Sequence, residues 1–178
     1  MIHTNLEKYL QGLGKQVMNR AKAGLQSAGK QGALEDSIQF QVLKTSEGYE
    51  VFWTMNYYGA FIDKGVSGTE IKRSFTNYQG ETLSSPGKGF TNKQPPPEPL
   101  EKWIQAKGLK GRDEKSGRYI SNRSLAFLIG ASIKRKGIPS IMFFQKPLGL
   151  AMKTFESQLN VAMSKDLEAS IQQANIKF

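Results

Sequence analysis

Leu6, Leu10, Leu13, Val17, Ala21 and Leu25 recur at spacings of three and four, with Lys8, Lys15, Arg20 and Lys22 between them. That period predicts an amphipathic helix over 5–30. Its glycines at 12, 14 and 24 each weaken a helix by about 1 kcal/mol relative to alanine. Such a helix is expected to draw its stability from packing on another element. The period then changes to two. Ile38, Phe40 and Val42 alternate with Gln39, Gln41 and Leu43. After the turn Thr45-Ser46-Glu47-Gly48, Tyr49, Val51, Trp53 and Met55 alternate with Glu50, Phe52, Thr54 and Asn56. Two alternating runs around a polar turn predict a β-hairpin with one apolar face. The aromatic-rich segment 56–65 reads as a short helix or turn.

From Val66 to Pro99 the aliphatic pattern lapses into Gly, Ser, Thr, Asn and Pro, with isolated Ile71, Phe75, Tyr78, Leu83 and Phe90. A run this long without a core pattern is unusual inside a compact domain. It is expected to be an extended arm or loop insertion with contacts to make. Pro95 to Pro99 reads as stiff and extended, with Pro99 an early helix position for Leu100–Gly108. A second glycine-rich loop, basic in character, covers 108–120. A helix follows over 121–136, capped by Ser121 or Asn122, with Leu125, Leu128, Ile129 and Ile133 as its buried stripe and Gly137 and Pro139 as its stop. The apolar stretch 138–144 suggests a strand. A last amphipathic helix, 148–174, is built on Met152, Phe155, Leu159, Met163, Leu167 and Ile171. The sum is an α+β fold: a small antiparallel β-sheet built on a hairpin, packed by N-terminal and C-terminal amphipathic helices, with a long insertion.

The chain has 178 residues, 38% of them hydrophobic, which fits a single domain over 1–178 with a modest core. No stretch reaches the ~18 apolar residues of a membrane span, and the N-terminus reads as the first turns of a helix, not as a signal peptide. The absence of cysteine excludes disulfides, thiolate chemistry and cysteine zinc sites, and suits a reducing cytoplasm or a particle assembled there. The net charge of +10 is local. Residues 1–63 are neutral and so are 150–178, whereas 102–136 holds ten Lys or Arg against Asp113 and Glu114.

Candidate chemistry is sparse. His3 is the only histidine and sits at a terminus, so it makes a poor general base or metal ligand. Pro86-Gly-Lys-Gly-Phe90 lacks the spacing and the helix that a phosphate loop requires. The pairs Glu35/Asp36 and Asp113/Glu114 read as solvated charge on turns. A small metal nuclease would have to gather Asp63, Glu70 and Asp113 by folding. The expectation is therefore a chain with no catalytic residue, no cofactor and no metal.

Two surface features remain open. Lys107, Lys110, Arg112, Lys115, Arg118 and Arg123 cluster in and beside the second loop, with Trp103 and Tyr119 nearby, and Lys134-Arg135-Lys136 close a helix. Cations there suit either a phosphate backbone or an acidic partner, and equally a solvated loop and a helix dipole. Lys110, Arg112, Lys115, Arg118 and Arg123 are the candidates for facing DNA or an acidic neighbour. Trp53, Tyr57, Tyr58 and Phe61 are either hairpin cover or interface anchors.

The segments Tyr58-Gly-Ala-Phe-Ile-Asp63 and Gly65 to Thr69, followed after an insertion by Lys136-Gly-Ile-Pro-Ser-Ile-Met-Phe-Phe144 and a helix from Pro147-Leu148, carry a resemblance. They resemble the tail-completion, or head–tail joining, proteins of tailed bacteriophages over most of the chain, 5–165. The stretches Phe61 to Thr69 and Lys136 to Phe144 are similar to neck or ring proteins of crAss-like phages. The insertion 66–99 is longer than in compact members, and the basic segment is not part of the family pattern. The resemblance implies a virion structural protein, assembled in the host cytoplasm, with no membrane association. It implies closed rings of the chain itself, twelvefold or sixfold, stacked between portal or adaptor and neighbouring tail rings around the DNA channel. Tyr57, Tyr58, Phe61, Asp63, Ile71, Phe75, Tyr78 and Phe90 are then the subunit-interface candidates. The alternative is a non-specific nucleic-acid-binding accessory protein.

Overall fold

A computed structural model describes residues 4–86, 89–90 and 93–175. His3, Gly87 and Lys88 lie outside the described residues. The fold is α+β. The residues gather into two compact units: Met1–Gly59, Thr76–Thr82 and Ile141–Phe178 in the first, Ala60–Phe75 and Leu83–Ser140 in the second.

In the first unit, α1 (Thr4–Ser27) and the hairpin β1 (Gln39–Lys44) and β2 (Tyr49–Thr54) follow the sequence periods closely, with a short α2 (Ala33–Ser37) between them that the periods do not announce. The hairpin pairs Phe40 with Trp53 and Val42 with Val51, and these residues are half-buried while their neighbours are exposed. That is the alternation a sheet with one packed face requires. Their apolar face lies with Leu10, Leu13 and Val17 of α1, and with Ala151, Leu148 and Phe155 of the long α6 (Gln145–Asn175). Two of the three glycines of α1, Gly14 and Gly24, prove to be packing sites. The Phe40 ring occupies the place of a Cβ at Gly14, the Trp53 indole N–H donates to Gly14 O at 3.2 Å, and Phe143 sits against Gly24.

α1 and α6 run antiparallel, with Asn5 near Asp166 and Gly24 near Phe143. Asp166 caps the start of α1 from the far end of the chain. Its Oδ1 accepts from the Asn5 amide and side chain, and its Oδ2 from the Leu6 amide at 2.9 Å. These amides are among the N–H groups a helix start leaves without an internal partner.

α6 departs from its expected face. It starts at Gln145, and Ile141–Phe144 form no strand. Its buried side runs through Ala151, Phe155, Ala162 and Asp166, whereas Met152, Met163, Leu167 and Ile171 are exposed. The reason is geometric: each step of four residues overshoots a 3.6-residue turn by about 40°, so an i, i+4 ridge winds off the packed side.

The second unit contains most of α3 (Gly59–Lys64), the helices α4 (Pro97–Ala106) and α5 (Asn122–Lys136), and the bases of a hairpin formed by β3 (Ser74–Thr76) and β4 (Thr82–Ser84). Ile104 and Ala126 are fully buried, and Gly130 lets Pro95 O and Leu100 approach α5. α4 begins two residues before Pro99, with Pro97 inside the helix. Proline is tolerated in the first turn because its missing N–H would have had no partner there. Ser121 caps α5 by accepting from the Ser124 amide, and Gly137 ends it at φ 71°. Leu128 is 56% exposed, not part of the buried stripe; Ala126 and Gly130 are buried instead, beside half-buried Leu125, Ile129 and Ile133.

The insertion 66–99 is largely built into this framework. Val66 pairs with Ile138, Ser85 donates to Lys64 O at 2.7 Å, Phe75 is buried, and 97–99 are helical.

Candidate interaction surfaces

Two stretches far apart in sequence, 63–71 and 134–140, cross inside the second unit. Val66 and Ile138 exchange both backbone hydrogen bonds at 2.8 Å. The amides of Thr69 and Glu70 donate to Lys134 O and Arg135 O, and Arg73 Nε donates to Lys136 O. Ser140 Oγ donates to Asp63 O. The last carbonyls of α5, which have no partner in the helix itself, are thus satisfied by the loop that follows α3.

Three glycines permit this approach. A Cβ at Gly68 would fall on Arg135 O, one at Gly137 on Val66 O, and one at Gly65 within 2.8 Å of Ile138 O. Gly65 and Gly137 also take φ of 76° and 71°, a region costly for other residues. These glycines lie within the segments named in the resemblance above, and their role here is backbone geometry. Sequence reading missed this because a glycine signals only a need for space or positive φ, without saying what approaches.

The basic loop is an ordered hairpin. Arg112 pairs with Tyr119, the Asp113 amide donates to Arg118 O, the Gly117 amide to Asp113 O, and the Ile120 amide to Gly111 O. The Asp113 carboxylate accepts from the Ser116 amide and hydroxyl, both at 2.8 Å, and these bonds hold its pKa below the usual carboxylate value. At its base, Gly111 leaves room for Leu125 of α5 and Ile120.

The hairpin displays Tyr119, which is exposed. Arg112 lies over the ring at 4.5 Å and donates to the Tyr119 hydroxyl at 2.7 Å, while Lys110 lies 5.9 Å from the ring. Lys115, Arg118 and Arg123 are exposed as well. Lys110, Arg112 and Tyr119 therefore form one cationic–aromatic face. The Lys134–Lys136 run has a different setting, since its carbonyls hold the crossing.

The other expected interface residues are dispersed. Tyr57 is 84% exposed and stacks edge-on against half-buried Tyr58 at 6.1 Å. Phe61, Ile71 and Tyr78 are partly exposed at 40% each, and Phe90 is half-buried with its amide on Ser67 O. Asp63 and Phe75 are buried, at 3% and 7% exposed, and the Lys64 ammonium lies 5.6 Å from the Phe75 ring.

Among the described residues no three His, Cys, Asp or Glu side chains come together as metal ligands, and no helix is long and apolar enough to cross a membrane. Comparison with family models, with curated proteins and with solved structures finds no match.

Proposed function

We propose that this chain is a non-catalytic structural subunit of a tailed-phage virion, assembling with copies of itself as a ring in the head–tail joint around the DNA channel. The observation that carries this reading is the glycine-built crossing. The two segments through which the sequence resembles head–tail joining proteins meet there, and the residues concerned serve backbone architecture. That suits a protein whose work is to hold a shape between neighbours. A closed ring needs two different complementary surfaces on each subunit. The portal or adaptor and the adjoining tail rings are the other partners, and the particle is the place of function.

The test is native mass together with electron microscopy of the purified full chain. Annular oligomers of one closed size are the expected result, and a monomer at the highest soluble concentration overturns it.

The cationic face at Lys110, Arg112 and Tyr119 favours a second reading, non-specific binding of nucleic acid by the subunit on its own. Stacking on an exposed ring flanked by cations tolerates any base, and phosphate contacts make binding fall steeply with salt. DNA retention by the isolated subunit with a steep salt slope, in the absence of rings, supports this reading over the first.

A further inference from the structure

The first unit carries two apolar features on one helix that its own core leaves unused. One is a groove of about 470 Å³ at the start of α6. Its first wall is the turn between β3 and β4. Asn77 Oδ1 accepts from the amides of Gln79 and Glu81, and the Asn77 amide donates to Glu81 O at 2.9 Å, which knits the turn tightly. The turn is pinned to α6: the Tyr78 amide donates to the Gln145 side-chain oxygen at 3.0 Å. Gly149 makes this close contact possible, since a Cβ there would lie 2.8 Å from Tyr78 O. The rest of the groove is formed by Met142, Leu150, Met152 and the stems of Lys146 and Lys153. Both lysines are exposed, so the slot is apolar with a basic rim.

The other feature is the far end of the same helix. Because Asp166 caps α1 at Asn5 and Leu6, the residues from Leu167 to Asn175 run past the level where α1 starts. That is about 13 Å of helix. Leu167 and Ile171 stand one above the other on it, 50% and 51% exposed, with Met163 a turn earlier. Glu168 lies beside them, about 60° round the helix from Ile171. The helix dipole adds to this polarity, positive toward the groove and negative toward the ridge.

We infer that the ridge of one copy seats in the groove of the next, with Leu167 and Ile171 entering between Tyr78 and Leu150 and Glu168 facing the lysine rim. Ridge and groove lie about 30 Å apart along one helix, so the contact is heterologous. Each copy uses both surfaces, and the series closes when the rotation between copies divides a full circle. The contact rests on the ring reading and names the surface that makes the ring. The competing arrangement, ridge against ridge, would give a twofold dimer and leave the basic-rimmed groove unused.

Because Ile171 and Leu150 are both exposed, Ile171→Asp and Leu150→Glu test the contact with little risk to the core. Each variant alone is expected to weaken self-association about thirtyfold or more, with unchanged circular dichroism. Mixed in equal amounts, the two are expected to form a one-to-one heterodimer, because one intact ridge then meets one intact groove. Glu168→Lys is expected to weaken assembly, and combining it with Lys146→Glu and Lys153→Glu in the same chain to restore it.

Sedimentation of the mixture as monomers overturns the contact, as does dissociation by Ile171→Asp with no effect of Leu150→Glu, the signature of ridge against ridge. Rings that form unchanged in both variants overturn the contact and leave the ring reading standing. A wild type that never assembles overturns both.

Discussion

The two units hold themselves together by different means. Among the described residues, ten of the thirteen buried hydrophobic side chains belong to the first unit and only Phe75, Ile104 and Ala126 to the second. Charge divides the other way. The second unit's residues hold fifteen basic and six acidic groups, a net of +9, and the first unit's hold the remaining +1. The first unit is a helix-and-hairpin core in which apolar area does the work. The second relies on backbone crossing, caps and tight turns, and leaves a strongly basic exterior. A unit with few aliphatic residues can still be ordered if its carbonyls and amides find partners at close range, and glycine is what permits that range.

The sharpest way to break this contrast is to mutate each unit in its own idiom. Leu25→Ala, at a fully buried position of α1, is expected to cost about 2–5 kcal/mol. Denaturant unfolding followed by the Trp53 environment measures it; a cost under about 1 kcal/mol would contradict a core-driven first unit. Asp166→Ala removes the remote cap of α1 and is expected to cost about 1–3 kcal/mol, seen as early hydrogen exchange at Asn5 and Leu6.

In the second unit, Gly137→Ala places a Cβ on Val66 O at positive φ, and about 1–3 kcal/mol of destabilisation is expected. The matching control lies in the first unit. Gly12 has nothing within 4 Å of a built Cβ, so Gly12→Ala is expected to stabilise by up to about 1 kcal/mol. Thermal melts of the two glycine variants should move in opposite directions.

The smallest effect is local. Because the folded pKa of Asp113 is lowered, its contribution to the hairpin is present above the usual carboxylate pKa and is lost as pH falls through the folded value. Amide exchange at Ser116 and Gly117 should therefore gain protection from pH 3 toward pH 5, by an amount Asp113→Asn abolishes.

Much of this fold could be read from local pattern alone. The period of α1, the alternation of β1 and β2 around Thr45–Gly48, the Ser121 cap and the Gly137 stop depend on residues within a few positions of one another. Their physics is complete at that range. The basic hairpin was legible as a charge cluster, and its ordering by Asp113 and Ser116 was not. A carboxylate near a serine is common in solvated loops.

What only tertiary structure decided lies at long range. Asp166 reaches α1 across 161 positions, and nothing in its neighbourhood distinguishes it from a solvated acid. The glycines at 65, 68 and 137 become a crossing only when their two segments meet. On α6 the sequence determined that an apolar ridge exists. The position of α1 decided which part of the helix is buried, because a ridge spaced by four winds away from any straight neighbour. Period fixes a face relative to its own helix, and only packing fixes it relative to the rest of the chain.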